Sequence, residues 1–262
     1  MKKLTVPAIK SMKGKNKITA LTAYDYFTAK YLDEAGIDVL LVGDSLNMVL
    51  YGNPTTLGCT MDTMLTHTEC VARAVQRALV VGDMPFMSYQ VNDDDAVRNA
   101  GKFVLAGASA VKLEGGLDFA ATVERIVRAG IPVMGHIGMR PQSILRMGTY
   151  KTTGTTEKAE RHLIESAKAL QDAGCFSIVL EKVKPHVAKE ISSAISIPTI
   201  GIGAGIDCDG QILVVNDILG LYDEFEPPFV RKYADLKPVI IDAAKRFADD
   251  VRNLDYPNPE EK

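Results

Sequence analysis

The chain has 262 residues, 47% of them hydrophobic and 24% charged, with a formal net charge of −3 at pH 7. That length and apolar content suffice for one large core, and α/β barrels commonly reach this size as a single domain. Acidic and basic residues are interspersed, which excludes the electrostatic footprint of a nucleic-acid or anionic-membrane binder and leaves small-molecule chemistry as the default.

The four cysteines, Cys59, Cys70, Cys175 and Cys208, form no C-x-x-C pair or regular framework. Reduced thiols in a cytoplasmic protein are expected from that usage. The opening "MKKLTVPAIKSMKGKNK" is basic but carries no apolar h-region after it. No apolar run approaches the roughly 20 residues that span a bilayer, so a soluble protein with no membrane partner is expected.

In chain order, eight β-rich runs appear: "ITALTAY" (18–24), "IDVLLVG" (37–43), "ALVVGD" (78–83), "SAVKLEG" (109–115), "IPVMGHIG" (131–138), "CFSIVLEK" (175–182), "IPTIGIG" (197–203) and "ILVVND" (212–217). They are near-continuously apolar, the mark of parallel strands covered on both faces, and helical spacing follows each. In "FAATVERIVRAG" (119–130), Phe119, Val123, Ile126 and Val127 share a face; in "EKAERHLIESAKALQDAG" (157–174), Ala159, Leu163, Ala167 and Leu170 do. Eight strand-then-helix units argue for a single-domain (β/α)8 TIM barrel over residues 1–262. It would end in an amphipathic helix, "DLKPVIIDAAKRFADDVRN" (235–253), and a short charged tail, "YPNPEEK" (256–262). Two connections, 46–66 and 140–156, are too long for simple turns and would sit over the C-terminal face as binding loops or lids.

That face is where the charges fall. Asp44, Asp83, Glu114, His136 and Glu181 close five consecutive strands. Any one of them could simply begin a loop or cap a helix, but five in succession mark the catalytic end of a barrel. In "VKLEGG" (111–116), Lys112 and Glu114 are two apart and point the same way, into the barrel mouth, where burial would demand an opposite charge, a metal or a substrate anion. The plainer alternative is a Lys–Glu pair on a solvated strand end. Asp44, Asp83 and Glu114 offer hard oxygens from neighbouring strands, which suits Mg²⁺ and disfavours zinc. His136 reads as a ligand, a hydrogen-bond donor to substrate or a core histidine. "GIGAG" (201–205) follows the seventh strand, where barrels often hold phosphate, although glycines there also serve tight turns.

The motifs "LTAYD" (21–25), "VGDSLNMVLYG" (42–52), "DMPFMSY" (83–89), "VKLEGG" (111–116), "GHIGMRPQS" (135–143), "VLEKV" (179–183) and "IGIGAGIDCDGQILV" (200–214) together resemble the ketopantoate hydroxymethyltransferase family. The match runs in order through about residues 4–250. The resemblance implies transfer of a hydroxymethyl group from 5,10-methylenetetrahydrofolate to 3-methyl-2-oxobutanoate, giving 2-dehydropantoate on the way to pantothenate. It also implies a decameric (β/α)8 barrel. By motif, Asp44, Asp83 and Glu114 would bind or support Mg²⁺. Asp44, Ser45, Asp83, Lys112 and His136 would line the keto-acid site, and Glu181 would be the base that removes the substrate's C3 proton. Removing the carboxylate of Asp83 or Glu114 is expected to cost metal binding and leave the fold intact. Three departures stand out: Asn47 replaces the usual glycine, Arg140 replaces a common threonine, and "YKTTGTT" (150–156) lacks the usual glutamine before its glycine. A related Mg²⁺-dependent 2-oxo-acid lyase or mutase barrel, and a non-catalytic keto-acid sensor, stay open as alternatives.

Overall fold

A computed structural model describes residues 2–258. The end of the charged tail, residues 259–262, lies outside the described residues. The chain divides after Val214 into two compact units.

The first unit is a closed barrel of eight parallel strands in sequential order, with β8 pairing back to β1. The strands are β1 (Ile18–Thr22), β2 (Val39–Val42), β3 (Leu79–Asp83), β4 (Ala110–Glu114), β5 (Val133–Gly138), β6 (Ser177–Glu181), β7 (Thr199–Ile202) and β8 (Gly210–Leu213). Between them run α2 (Tyr26–Glu34), α3 (Leu46–Val49), α4 (Met61–Ala74), α5 (Asp93–Leu105), α6 (Ala120–Arg128), α7 (Ile144–Met147), α8 (Glu157–Asp172) and α9 (Pro185–Ala194). A helix not anticipated from sequence, α1 (Val6–Ser11), precedes β1 and contributes Ile9 to the core inside the barrel.

Alternation builds that core. Ile18 and Ala20, Val39 and Leu41, Leu79 and Val81, Ala110, Met134, Val179, Ile200 and Ile212 come from all eight strands and form one buried cluster. A barrel of this strand number is narrow enough for side chains to fill, so the interior is a packed core and not a pore. From β2 to β7 the outward-facing strand residues are buried too, as the continuous apolar runs require, while Thr19 on β1 and Gln211 on β8 are exposed. In α8 the buried stripe is Leu163, Ser166, Ala167 and Leu170, and Thr156 caps its first turn by accepting from Ala159 N–H.

Two expectations need correction. "ILVVND" is not one strand: β8 begins earlier, at Gly210, and ends at Leu213, while Val215–Ile218 is helical, α10. Nor is the seventh strand followed by a helix, because β7 leads directly into β8. The "GIGAG" stretch makes that turn, with Gly203 at φ +60° and Gly205 at φ +88°. These are left-handed values that residues with a Cβ rarely adopt, so the tight-turn reading accounts for the motif.

The second unit holds α10 and α11 (Leu236–Arg252). Within it the backbone N–H groups of Tyr233 and Ala234 donate to Ile218 O, and Leu236 N–H donates to Leu219 O. No helix among the described residues is long and apolar enough to cross a membrane. All four cysteines are free.

Candidate active site

The stripe that fills the barrel changes character as it climbs. On β4 the inward positions read Ala110, Lys112, Glu114; on β3 Val81 is followed by Asp83, on β5 Met134 by His136, and on β6 Val179 by Glu181. Period-two geometry therefore delivers the apolar residues to the floor and the ionisable ones to the C-terminal mouth. Register does the rest: Asp83 lies opposite Lys112, Glu114 opposite His136, and Gly138 opposite Glu181. Gly138 is required there, since a Cβ would fall 2.2 Å from Glu181 O.

Lys112 and Glu114 are 4% and 3% exposed, which excludes the solvated pair on a strand end. Lys112 does not pair with Glu114. Its Nζ donates to both carboxylate oxygens of Asp83, at 2.7 and 2.8 Å. Asp44 stands two residues beyond β2, and its backbone N–H donates to Asp83 Oδ2 at 3.3 Å. Burial, then the charge of Asp83, pushes the Asp44 carboxyl up to about 7 despite the pull of Lys112 and a hydrogen bond from Gln142. Burial likewise holds Glu114 well above the carboxylate range, with Asp44, Asp83 and Glu181 adding repulsion against the opposing charge of Lys112.

His136 is the least satisfied group. Its Nε2 lies 3.2 Å from Glu181 Oε2 and its Nδ1 3.6 Å from Glu114 Oε1. Neither contact has full hydrogen-bond geometry, so both ring nitrogens are buried beside carboxylates without a well-formed hydrogen bond. Burial pulls the His136 imidazole below its usual value, with Glu181 acting in the opposite direction. A neutral ring with an unmet donor and an unmet acceptor, beside Glu181, is a ready partner for a polar ligand. Ser45 is set by Tyr24, whose Oη lies 2.8 Å from Ser45 Oγ.

Three buried carboxyls, Asp44, Asp83 and Glu114, thus face one ammonium, Lys112. The excess of hard, negative oxygen fits a divalent cation of the Mg²⁺ type. Among the described residues no group of three or more His, Cys, Asp or Glu side chains converges closely enough to hold a metal alone. A cation here would draw further oxygens from water and substrate, the habit of Mg²⁺ rather than of a protein-caged metal.

Sequence reasoning missed two groups that bind this set together. Gln142 and Tyr89 are 5% and 2% exposed, and hydrogen bonds link them to Asp44 and Glu114. Both sat inside motifs already singled out, and a polar residue in a loop over the mouth was the available signal. The departures also find places. Asn47 is buried and staples the long β2–α4 connection, donating to Thr55 O at 2.7 Å and accepting from Asn53 Nδ2 at 3.0 Å. Arg140 lines a cavity of about 190 Å³ together with Met147, Thr153 and His162.

The chain matches the family profile described as Ketopantoate hydroxymethyltransferase over residues 3–259. It is 53% identical to the 3-methyl-2-oxobutanoate hydroxymethyltransferase of Staphylothermus marinus, over 98% of this chain and 94% of the relative. The enzyme of the same name from Pyrobaculum neutrophilum is 56% identical over 94% of each chain. Two solved structures share the fold at lower identity. Phosphonopyruvate hydrolase with oxalate and Mg²⁺ gives a TM-score of 0.62 at 14% identity, covering 98% of this chain and 93% of the other. A 2,3-dimethylmalate lyase gives 0.62 at 17%, covering 99% and 92%. Those two speak for the barrel alone; identity above one half along nearly the whole length speaks for more, and by it the chain belongs to the ketopantoate hydroxymethyltransferase family and is a transferase.

Proposed function

We propose that the chain transfers a hydroxymethyl group from 5,10-methylenetetrahydrofolate to 3-methyl-2-oxobutanoate, with one water supplying the hydroxyl oxygen, to give 2-dehydropantoate and tetrahydrofolate. The names carried by the relatives support the reaction. The observation that carries it here is Glu181 beside an unsatisfied His136, next to a buried cluster of carboxyls and one ammonium.

Asp44 and Asp83 would hold Mg²⁺, with Glu114 in support. Bound there, the ion supplies Lewis acidity to the substrate's keto group. Lys112, kept protonated by Asp83, offers a fixed positive charge to the substrate carboxylate or to the oxygen on which charge develops, in a mouth that excludes most water. Glu181 takes the C3 proton. The carbon so freed bonds to the one-carbon unit of the folate; both C–N bonds of that unit break, its two nitrogens regain one proton from C3 and one from the water, and the rest of the water stays on the transferred carbon as the hydroxyl. His136, neutral and hemmed between Glu114 and Glu181, has one N–H to give and steers Glu181 or a substrate oxygen.

The test is turnover of 3-methyl-2-oxobutanoate against other 2-oxo acids, with and without 5,10-methylenetetrahydrofolate and Mg²⁺. Folate-dependent 2-dehydropantoate is the expected product. Folate-independent C–C cleavage would point to a lyase, and binding without turnover to a sensor.

A further inference from the structure

Gln142 sits on the short turn Pro141–Ser143 just after β5, at the inner end of the 140–156 loop. Its backbone N–H donates to Glu114 Oε2 at 3.0 Å. Its Nε2 donates to Asp44 Oδ2 and to Met84 O, both at 2.9 Å. Its Oε1 accepts from Tyr89 Oη at 2.9 Å and from Gln90 Nε2 at 3.1 Å. Tyr89 Oη shares its proton between Gln142 Oε1 and Glu114 O, and accepts from Glu114 N–H at 3.1 Å. One buried residue therefore touches two of the three carboxylates, Asp44 after β2 through its side-chain amide and Glu114 on β4 through its backbone N–H, from a loop that belongs to β5.

The chemistry at the position is exacting. Asp44 and Met84 O require a donor on one side, while Tyr89 and Gln90 require an acceptor on the other. Among side chains of this length only an amide offers both. A carboxylate in its place would set a like charge against Asp44 and present an oxygen to Met84 O; an apolar residue would leave Asp44 and Tyr89 with unmet groups in a buried site. The other end of the loop is fastened to the strand that carries Glu181: Thr153 N–H donates to Lys182 O at 2.7 Å, and Lys182 Nζ donates to Tyr150 O at 2.8 Å.

We propose that Gln142 is a positioning residue, which fixes the carboxylates of Asp44 and Glu114 for a hard divalent cation and makes that placement depend on the seating of the 140–156 loop. The inference rests on the cation role given to Asp44 and Asp83 under the proposed function. Residues that orient metal-binding side chains through hydrogen bonds typically govern affinity or activity by about 10–100-fold.

The experiment measures Mn²⁺ binding directly, by electron paramagnetic resonance, on the full chain as wild type and as Gln142→Met, a variant that keeps side-chain length and loses the donor and acceptor. Steady-state kinetics and a thermal melt accompany it. The expected result is a folded variant whose Mn²⁺ affinity falls by about 10-fold or more. Its KM for 3-methyl-2-oxobutanoate should rise and its kcat fall, its KM for the folate should hold, and added Mn²⁺ should restore most of kcat. A folding defect alone would give none of that rescue. Should Gln142→Met fail to fold, Tyr89→Phe removes only the hydroxyl that orients the amide, and its Mn²⁺ affinity should drop in the same direction. Wild-type Mn²⁺ affinity in a folded Gln142→Met, or in Tyr89→Phe where the first does not fold, overturns the inference. If wild type turns over the keto acid while that affinity is unchanged, the inference alone fails. If affinity falls as expected but wild type makes no 2-dehydropantoate, the proposed reaction fails and the role of Gln142 stands.

Discussion

Lys112 Nζ is chelated by Asp83, 2.7 Å from one carboxylate oxygen and 2.8 Å from the other, with both side chains buried. Burial by itself would lower the Lys112 pKa, but Asp83, then Glu114 and Asp44, hold it above the ordinary lysine value. An amine that attacks a keto group must first lose its proton, so this environment works against covalent catalysis through Lys112. Borohydride added to the enzyme with 3-methyl-2-oxobutanoate should leave the mass of the Lys112 peptide unchanged, and EDTA should abolish turnover. Reductive trapping on Lys112 with activity surviving EDTA would establish an imine mechanism instead.

The same pairing separates two substitutions that look equivalent in sequence. Asp83→Ala strips a buried ammonium of its chelating partner, and breaking a buried pair from one side costs about 3–5 kcal/mol. Glu114 is held above its usual range by burial and by its acidic neighbours, so neutralising it removes an unfavourable charge. Urea unfolding of the metal-free protein should show Asp83→Ala clearly destabilised and Glu114→Gln within about 1 kcal/mol of wild type. Equal stability of the two would mean that Lys112 finds another partner.

How much of this was readable beforehand follows from what sequence periodicity encodes. The strands of a parallel barrel are buried on both faces, and their apolar runs stand out, so the barrel and the ends of β3, β4 and β6 were within reach. Two-residue alternation placed Lys112 and Glu114 on one inward face. It could not pair them, because Lys112 finds Asp83 across a strand boundary 29 residues away, a relation set by barrel register. For that reason the expectation that Asp83 and Glu114 would behave alike gives way to different expected costs. β8 was misjudged because the apolar run "ILVV" crosses a strand end and a helix start, where periodicity has too few residues to distinguish them. Gln142 went unnoticed for a related reason: its significance lies in five partners drawn from three segments, none adjacent to it in sequence.

Asp44 provides a pH signature in the metal-free protein. Its folded-state pKa, about 7, lies above the ordinary 3.8. A carboxyl raised on folding binds its proton more tightly in the native state, so its contribution is fully present below about pH 4 and is lost as pH rises through about 7. Each tenfold gain in proton affinity corresponds to about 1.4 kcal/mol, which puts the effect at a few kcal/mol. Thermal melts of wild type and Asp44→Asn, taken in EDTA from pH 4 to pH 8, should diverge. The wild type should lose stability over that window relative to the variant, which has no proton to lose at this position. Parallel curves would show that Asp44 is ionised throughout.

Glu181 is tested most sharply by the proton it would remove. It ends β6 with its Oε2 3.2 Å from His136 Nε2, and its side chain is 15% exposed, open enough to meet a substrate carbon. A positioned general base is worth about 10²–10⁴-fold in rate. Wild-type protein with Mg²⁺ should therefore exchange the C3 hydrogen of 3-methyl-2-oxobutanoate for deuterium in deuterated water without any folate present. Glu181→Gln keeps the size of the side chain and an oxygen toward His136, so it should bind substrate and Mg²⁺ yet exchange at least about a hundredfold more slowly. Proton NMR follows this directly, through loss of the C3 signal and collapse of the methyl doublet to a singlet. Exchange at the wild-type rate in Glu181→Gln would move the role of base to another group. His136 is then the one to substitute next, because it is buried in the same mouth with its ring against Glu181 and Glu114.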